Sequence, residues 1–196
     1  MKSVNKLGTL LVNVLLLISC NTAQWKSTDA NGIKGSHNRF WINVPPGWKH
    51  QFRNRSSIVV SRDGLSLQFI KVAALSEKTL QIILRGISRD KKKVLLLDSL
   101  LPSELAGLLV SVFKNIRATR NIKLIESGPA IIGKNIAGFR VSLAFKKNNG
   151  LQVKRIVYGY VQGLDLVIIM YQAPALYYFP RDLKVFKLAV ASFKKL

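Results

Sequence analysis

The side chains best suited to chemistry are few in this sequence, and they stand apart. Cys20 is the sole cysteine among 196 residues. Its thiol can take a modification or act as a nucleophile, but alone it makes no internal disulfide. The two histidines, His37 and His50, have no cysteine or carboxylate cluster at ligand spacing beside them, so no metal site is expected. A serine–histidine–acid triad would have to draw on His50 with Asp63 or Asp98, and no Gly-x-Ser-x-Gly elbow exists to present a serine. The nine acids are spread along the chain, with Asp63, Glu104 and Asp182 at expected turns or helix starts. Residues 128–135 carry the glycine and lysine spacing of a phosphate loop. Asn135 replaces the required hydroxyl and no helix follows, so a turn between strands is expected there. The chain reads as noncatalytic, without a cofactor.

Charge is the stronger signal. Lysine and arginine number 31 against 9 acids, a net charge of +22. Arg85, Arg89, Lys91, Lys92 and Lys93 gather around one acid, Asp90. Lys146, Lys147, Lys154 and Arg155 gather across an expected hairpin, and Lys49, Arg53 and Arg55 form a smaller group. One reading is a generally basic, solvated surface. The other is contact with anionic headgroups or wall polymers, where each basic residue near the surface contributes about 1 kcal/mol. No recognisable binding motif supports nucleic acid as a partner. Tyr158, Tyr160, Tyr171, Tyr177, Tyr178 and Phe179 read as core and sheet-edge packing, with Tyr177 and Tyr178 also placed to line a ligand.

The N-terminus has three parts: Lys2 and Lys6, an apolar run over 7–18, and Ser19-Cys20. That order predicts an exported signal sequence. The run is about a dozen residues, short of the roughly 20 that span a bilayer as a helix. Leu17-Ile18-Ser19-Cys20 resembles the lipobox of bacterial lipoprotein precursors. The resemblance implies cleavage before Cys20, diacylglycerol on its thiol, palmitate-type acyl chains and a membrane held through that lipid. The alternative is an ordinary secreted protein with a cysteine at its cleavage site. By resemblance to enterobacterial lipoproteins, Asn21 in place of an aspartate implies the periplasmic face of the outer membrane in a two-membrane envelope. Removing residues 1–19 leaves 177 residues and a net charge of +20, because Lys2 and Lys6 leave with the leader.

The elements follow from periodicity. Residues 20–38 are polar and small and predict a flexible tether behind the lipidated cysteine, with the domain beginning near Arg39. Strands are expected at 40–44, stopped by Pro45-Pro46-Gly47, and at 57–61 and 65–72 around an Asp63-Gly64 hairpin. Leu80, Ile83, Leu84 and Ile87 fit a short helix. Leu105, Leu108, Leu109, Val112, Phe113 and Ile116 form one stripe of a helix over 102–118. Strands then follow from Lys123, with Arg140, Ser142 and Lys146 on a wet face. Residues 166–171 are apolar throughout, which predicts a central strand covered on both sides. An amphipathic helix over 180–194 closes the chain. This is an α+β pattern, an antiparallel sheet with helices packed on it.

Phe40-Trp41-Ile42-Asn43-Val44-Pro45-Pro46-Gly47-Trp48, the middle helix at Pro102-Ser103-Glu104-Leu105-Ala106 and the closing Ala191-Ser192-Phe193 resemble PsbP-like domains over residues 39–195. Gly128-Pro129-Ala130, Gly138-Phe139-Arg140 and Tyr158-Gly159 are similar to segments of a group of bacterial lipoproteins. The resemblance implies an α/β/α sandwich that docks on larger complexes as an adaptor or assembly factor. The expected function is a lipid-anchored, noncatalytic binding or assembly module of the cell envelope. The alternatives are a basic binder of anionic envelope lipid or polymer, and an envelope enzyme.

Overall fold

The computed structural model describes residues 24–29, 31–35, 39–54, 56–87, 97–114 and 119–196. In chain order these form β1 (Lys26–Ser27), β2 (Ile33–Lys34), β3 (Phe40–Ile42), β4 (Lys49–Asn54), β5 (Ser57–Ser61) and β6 (Phe69–Ser76). Helix α1 (Glu77–Ile87), a 3-10 turn at Leu97–Ser99 and α2 (Pro102–Lys114) follow. Then come β7 (Thr119–Ile132), β8 (Ile136–Lys147), β9 (Gln152–Gln162), β10 (Asp165–Pro174), α3 (Tyr178–Ser192) and β11 (Lys194–Lys195). One eight-stranded antiparallel sheet has the order β1-β4-β5-β6-β10-β9-β8-β7, and a small sheet has the order β11-β3-β2.

Strand alternation builds two cores from one sheet. In β10, Val167, Ile169, Tyr171 and Ala173 join Phe179, Phe186 and Val190 of α3 and the small sheet's Ile33, Phe40 and Ile42. Leu166, Ile168 and Met170 point the other way, to Leu80 of α1 and Leu105, Leu109 and Phe113 of α2. The strand is buried on both faces, as its continuous apolar run predicts. Each fully buried Leu, Ile, Val or Phe contributes roughly 1.5–3 kcal/mol. The result is the expected α+β architecture, with helices on both faces of an antiparallel sheet.

Helix α2 begins where its sequence says it should. Pro102 opens it, and Glu104 Oε2 accepts from the Leu101 amide at 2.8 Å, covering one donor that a helix start leaves unpaired. The helix is described as far as Lys114, and residues 115–118, Ile116 among them, lie outside the described residues. Among the described residues, no helix is long and apolar enough to cross a membrane.

Several expectations are corrected. The polar stretch before Arg39 is not all tether: β1 pairs with β4 and β2 with β3. The Thr28 hydroxyl donates within hydrogen-bond distance of Pro45 O and Trp48 O, at 2.9 and 3.0 Å, and Ile33 is buried. Backbone pairing needs no apolar period, so composition hid these strands. β4 was not anticipated either. Residues 65–67 form a turn, held by Leu67 and Gln68 amides on Gly64 O at 3.1 Å, so the strand after the Asp-Gly starts at Phe69. Gly128 to Ile132 belong to β7, and only 133–135 turn, where Gly133 has φ 60°. The expected wet face of β8 is partly covered, with Ser142 buried and Arg140 half-buried. Phe193 is buried, but it lies past the end of α3.

Candidate functional site: a lysine cleft beside an arginine–aspartate clasp

Register gathers lysines at the β7 end of the large sheet. Lys123 pairs with Ala144, and Ala144 pairs with Lys154, so two lysines flank one small residue in a single cross-strand row. Lys146 stands two residues along β8 from that alanine, on the same face. The small Ala144 side chain leaves an open cleft of about 590 Å³, walled by these three lysines together with Phe145 and Val153. Among the described residues, no carboxylate lines it. Lys154 Nζ sits 5.6 Å from the centroid of the Phe179 ring at the start of α3.

The cleft also has an apolar margin. Ala175 lines it and donates its amide to Gln152 O at 3.0 Å. The next two residues, Leu176 and Tyr177, are 90% and 63% exposed. A positively charged recess beside two exposed apolar side chains can bind an acidic surface that carries its own apolar contact.

The expected basic residues divide. Lys146 and Lys154 meet in the cleft, joined by Lys123, which the charge clusters had not included. Lys147 points to the opposite face, and its backbone pairs with Thr119 and Leu151. Arg155 is not at the surface at all: it is 7% exposed, because its odd position on β9 directs it under α2. The backbone of Arg85 falls in α1. Arg89, Lys91, Lys92, Lys93, Cys20 and His37 lie outside the described residues.

A clasp of four charges holds the neighbouring loop. Asp182 is 1% exposed, and its carboxylate accepts from Arg62 Nη2 at 3.0 Å and from Arg181 Nη2 and Nε at 2.6 and 3.1 Å. It therefore pairs with guanidiniums rather than serving the helix start. Arg181 also pairs with Asp63 and lies over the Tyr178 and Tyr177 rings at 4.6 and 5.2 Å. Arg62 lies 5.9 Å from the buried Trp48 ring. Most of the late aromatics are packing: Tyr171 stacks between Phe179 and Phe186, and its hydroxyl donates to Tyr178 O at 2.7 Å. Burial pushes the Tyr160 hydroxyl up to about 12.

The hydrogen bond from Arg181 holds the Asp63 carboxyl below its usual range. A depressed folded value stabilises the fold while the carboxylate is charged, and that contribution is lost as pH falls through the folded value. Melting temperature should therefore fall as pH drops below about 4. Asp63→Asn should flatten part of that fall; equal slopes in the two proteins would remove Asp63 as a contributor.

His50 is half-buried, and desolvation followed by the Lys26 charge lowers its pKa, favouring the neutral ring. Among the described residues, no three His, Cys, Asp or Glu side chains gather to hold a metal ion.

No family model matches the chain, and no curated protein matches it by sequence. Solved structures do. The Ran-binding protein Mog1p of Saccharomyces cerevisiae superposes with a TM-score of 0.54 at 12% identity, over 86% of this chain and 96% of Mog1p. A cyanobacterial PsbP from Synechocystis gives 0.53 at 12% identity, over 91% of this chain and 96% of its own. The fold is that of Mog1p and PsbP. At such identity the likeness is one of fold alone. LpqN, involved in cell envelope biogenesis of Mycobacterium tuberculosis, gives 0.46 at 12% identity, over 87% of this chain and 90% of LpqN. Against one longer structure, from Bacteroides thetaiotaomicron, the chain spans 48% of the partner's length.

Proposed function

We propose that the protein is a noncatalytic binding or assembly module of the bacterial cell envelope, held on a membrane by lipid on Cys20. It engages an acidic protein partner through the lysine cleft. The observation that carries this reading is the Lys123–Ala144–Lys154 row with Lys146 beside it, an open recess that no carboxylate among the described residues lines.

The position of the cleft favours a protein partner over the anchoring membrane. Only five residues separate Cys20 from β1, so the connection spans at most about 20 Å. β1 is one edge of the sheet, and β8 lies six strand spacings away, on the order of 29 Å. With the anchored edge down, the lysines stand at the far end of the sheet from the lipid proposed to carry the domain. In a two-membrane envelope, Asn21 favours the periplasmic face of the outer membrane as the site of action.

The test is capture from native envelope by wild type and by the triple reversal K123E/K146E/K154E, at low and high salt. Three lysines at about 1 kcal/mol each make binding of a discrete partner about 100-fold weaker in the variant. Raised salt weakens it in wild type, as exposed charges become screened. Equal capture by both proteins would exclude the cleft. Loss of binding to anionic vesicles alone, with no discrete partner, would replace this reading with direct binding of envelope lipid or polymer.

A further inference from the structure

A second recess lies at the other end of β9 from the lysine cleft. Gln152 and Lys154 line the cleft, whereas Tyr160 and Gln162 line the recess. Lys154 and Gln162 stand eight positions apart on one strand, on the order of 26 Å. Register builds the floor. Ala74 of β6, Val167 of β10 and Tyr160 of β9 form one cross-strand row, and Asp165 pairs with Gln162 two residues along the same face. Phe40 of β3, with Arg39 just before it, covers that floor and completes a space of about 280 Å³.

The base of the recess is apolar and held in place. Phe40 and Val167 are buried, and the small Ala74 side chain leaves the room between them. Phe40 stacks on Phe193 with ring centroids 5.7 Å apart, and Tyr160 meets the same ring edge-on at 6.0 Å. Gly35 is required here, because a Cβ on it would come within 2.3 Å of the Phe40 ring. The Tyr160 hydroxyl donates to Gln162 Oε1 at 3.1 Å, and burial keeps the phenol neutral. Charge is confined to the mouth. Arg39 Nη1 donates to Asp165 Oδ2 at 2.7 Å, with Arg39 exposed and Asp165 half-buried. That single contact leaves Arg39 Nε and Nη2, and Asp165 Oδ1, without a protein partner among the described residues. An apolar base therefore opens between one cationic donor and one anionic acceptor.

We propose that this recess binds a free α-amino acid with an apolar side chain. Its carboxylate accepts from Arg39, its ammonium group donates to Asp165, and its side chain rests on Ala74, Val167 and Phe40. Volume sets the size of the occupant: sites for drug-sized ligands begin near about 300 Å³, so only a small molecule fits. Charge sets its class. A simple anion meets Asp165 and a simple cation meets Arg39, whereas a zwitterion satisfies both through charge-assisted hydrogen bonds. The inference stands without the lysine cleft or its partner, since none of these residues lines the cleft.

Equilibrium dialysis of the full chain against labelled L-leucine tests it. Isocaproic acid, which is leucine without its ammonium group, and isoamylamine, which is leucine without its carboxylate, serve as competitors. Wild type should bind one leucine per chain saturably, and each competitor should bind about 10–100-fold more weakly, having lost a hydrogen bond to a charged group. Asp165→Asn should weaken leucine by a similar factor without weakening isocaproic acid, a split that loss of structure alone would not give. Ala74→Leu fills the recess with the ion pair left intact and should abolish binding. An exposed ion pair contributes little to stability, so Asp165→Asn should melt close to wild type, and it carries the test if Ala74→Leu does not fold. No saturable leucine binding in wild type, binding that survives in both variants, or isocaproic acid bound as tightly as leucine overturns the assignment.

Discussion

Asp182→Ala is expected to be the most destabilising single change in the clasp, by about 3–5 kcal/mol. The carboxylate is almost wholly buried and accepts from two arginines, so its removal leaves two guanidiniums facing each other with Asp63 alone as counter-charge. For a chain of this size that loss lowers the melting temperature by about 6–20 °C. Arg62→Met should have a smaller effect, because the buried Asp182 carboxylate keeps both hydrogen bonds from Arg181. The consequence reaches beyond stability. Arg181 ties Asp182 to Asp63 and covers Tyr177, so releasing it loosens the loop that carries Leu176 and Tyr177 at the margin of the cleft. Thermal melts of the two variants beside wild type decide the matter; an Asp182→Ala protein within 2 °C of wild type would mean that the buried pairs contribute little.

Cys20→Ala is expected to abolish stable membrane attachment of the mature domain. A single acyl chain binds a bilayer only marginally, at about 0.8 kcal/mol per buried methylene, whereas two or three chains together hold firmly. The proposed lipid therefore accounts for the whole anchor, and surface charge is not required for it. Intact mass and membrane fractionation check this directly. Wild type should carry the added acyl mass and sediment with membranes; the variant should be soluble or retain its leader. A soluble, unmodified wild type would leave an exported basic domain whose charge becomes its main functional feature.

The parts of the fold that were legible are those in which one physical signal dominates. The apolar run of β10 could only be a strand covered on both faces, and the 105–109–113 stripe with Pro102 and Glu104 could only be a helix start. Turns at Asn149-Gly150 and Gly163 follow from local backbone chemistry. The site was half legible. Lys146 and Lys154 were readable as hairpin neighbours, but the contribution of Lys123 depends on the register of β7, which shifts twice before settling against β8. Arg155 was misread because a strand buried on both faces gives a charged residue no exposed side to announce, and only the sheet's parity reveals that it points under α2. Asp182 was hidden for a different reason: one of its two partners, Arg62, lies 120 positions away in the chain.

β7 is the long open edge of the sheet, fourteen residues with Leu124, Ile125 and Ile131 exposed. Such an edge is a template for strand addition, and a surface-tethered protein meets its own copies at high effective concentration. Pro129 offers no amide in the second half of that edge, and two irregularities bend its first half out of regular register. The opposite edge, β1, is only two residues long. Under the proposed lipid anchor, molecules crowded on a membrane are therefore expected to resist polymerising sheet to sheet, which would leave each cleft unobstructed by its neighbour.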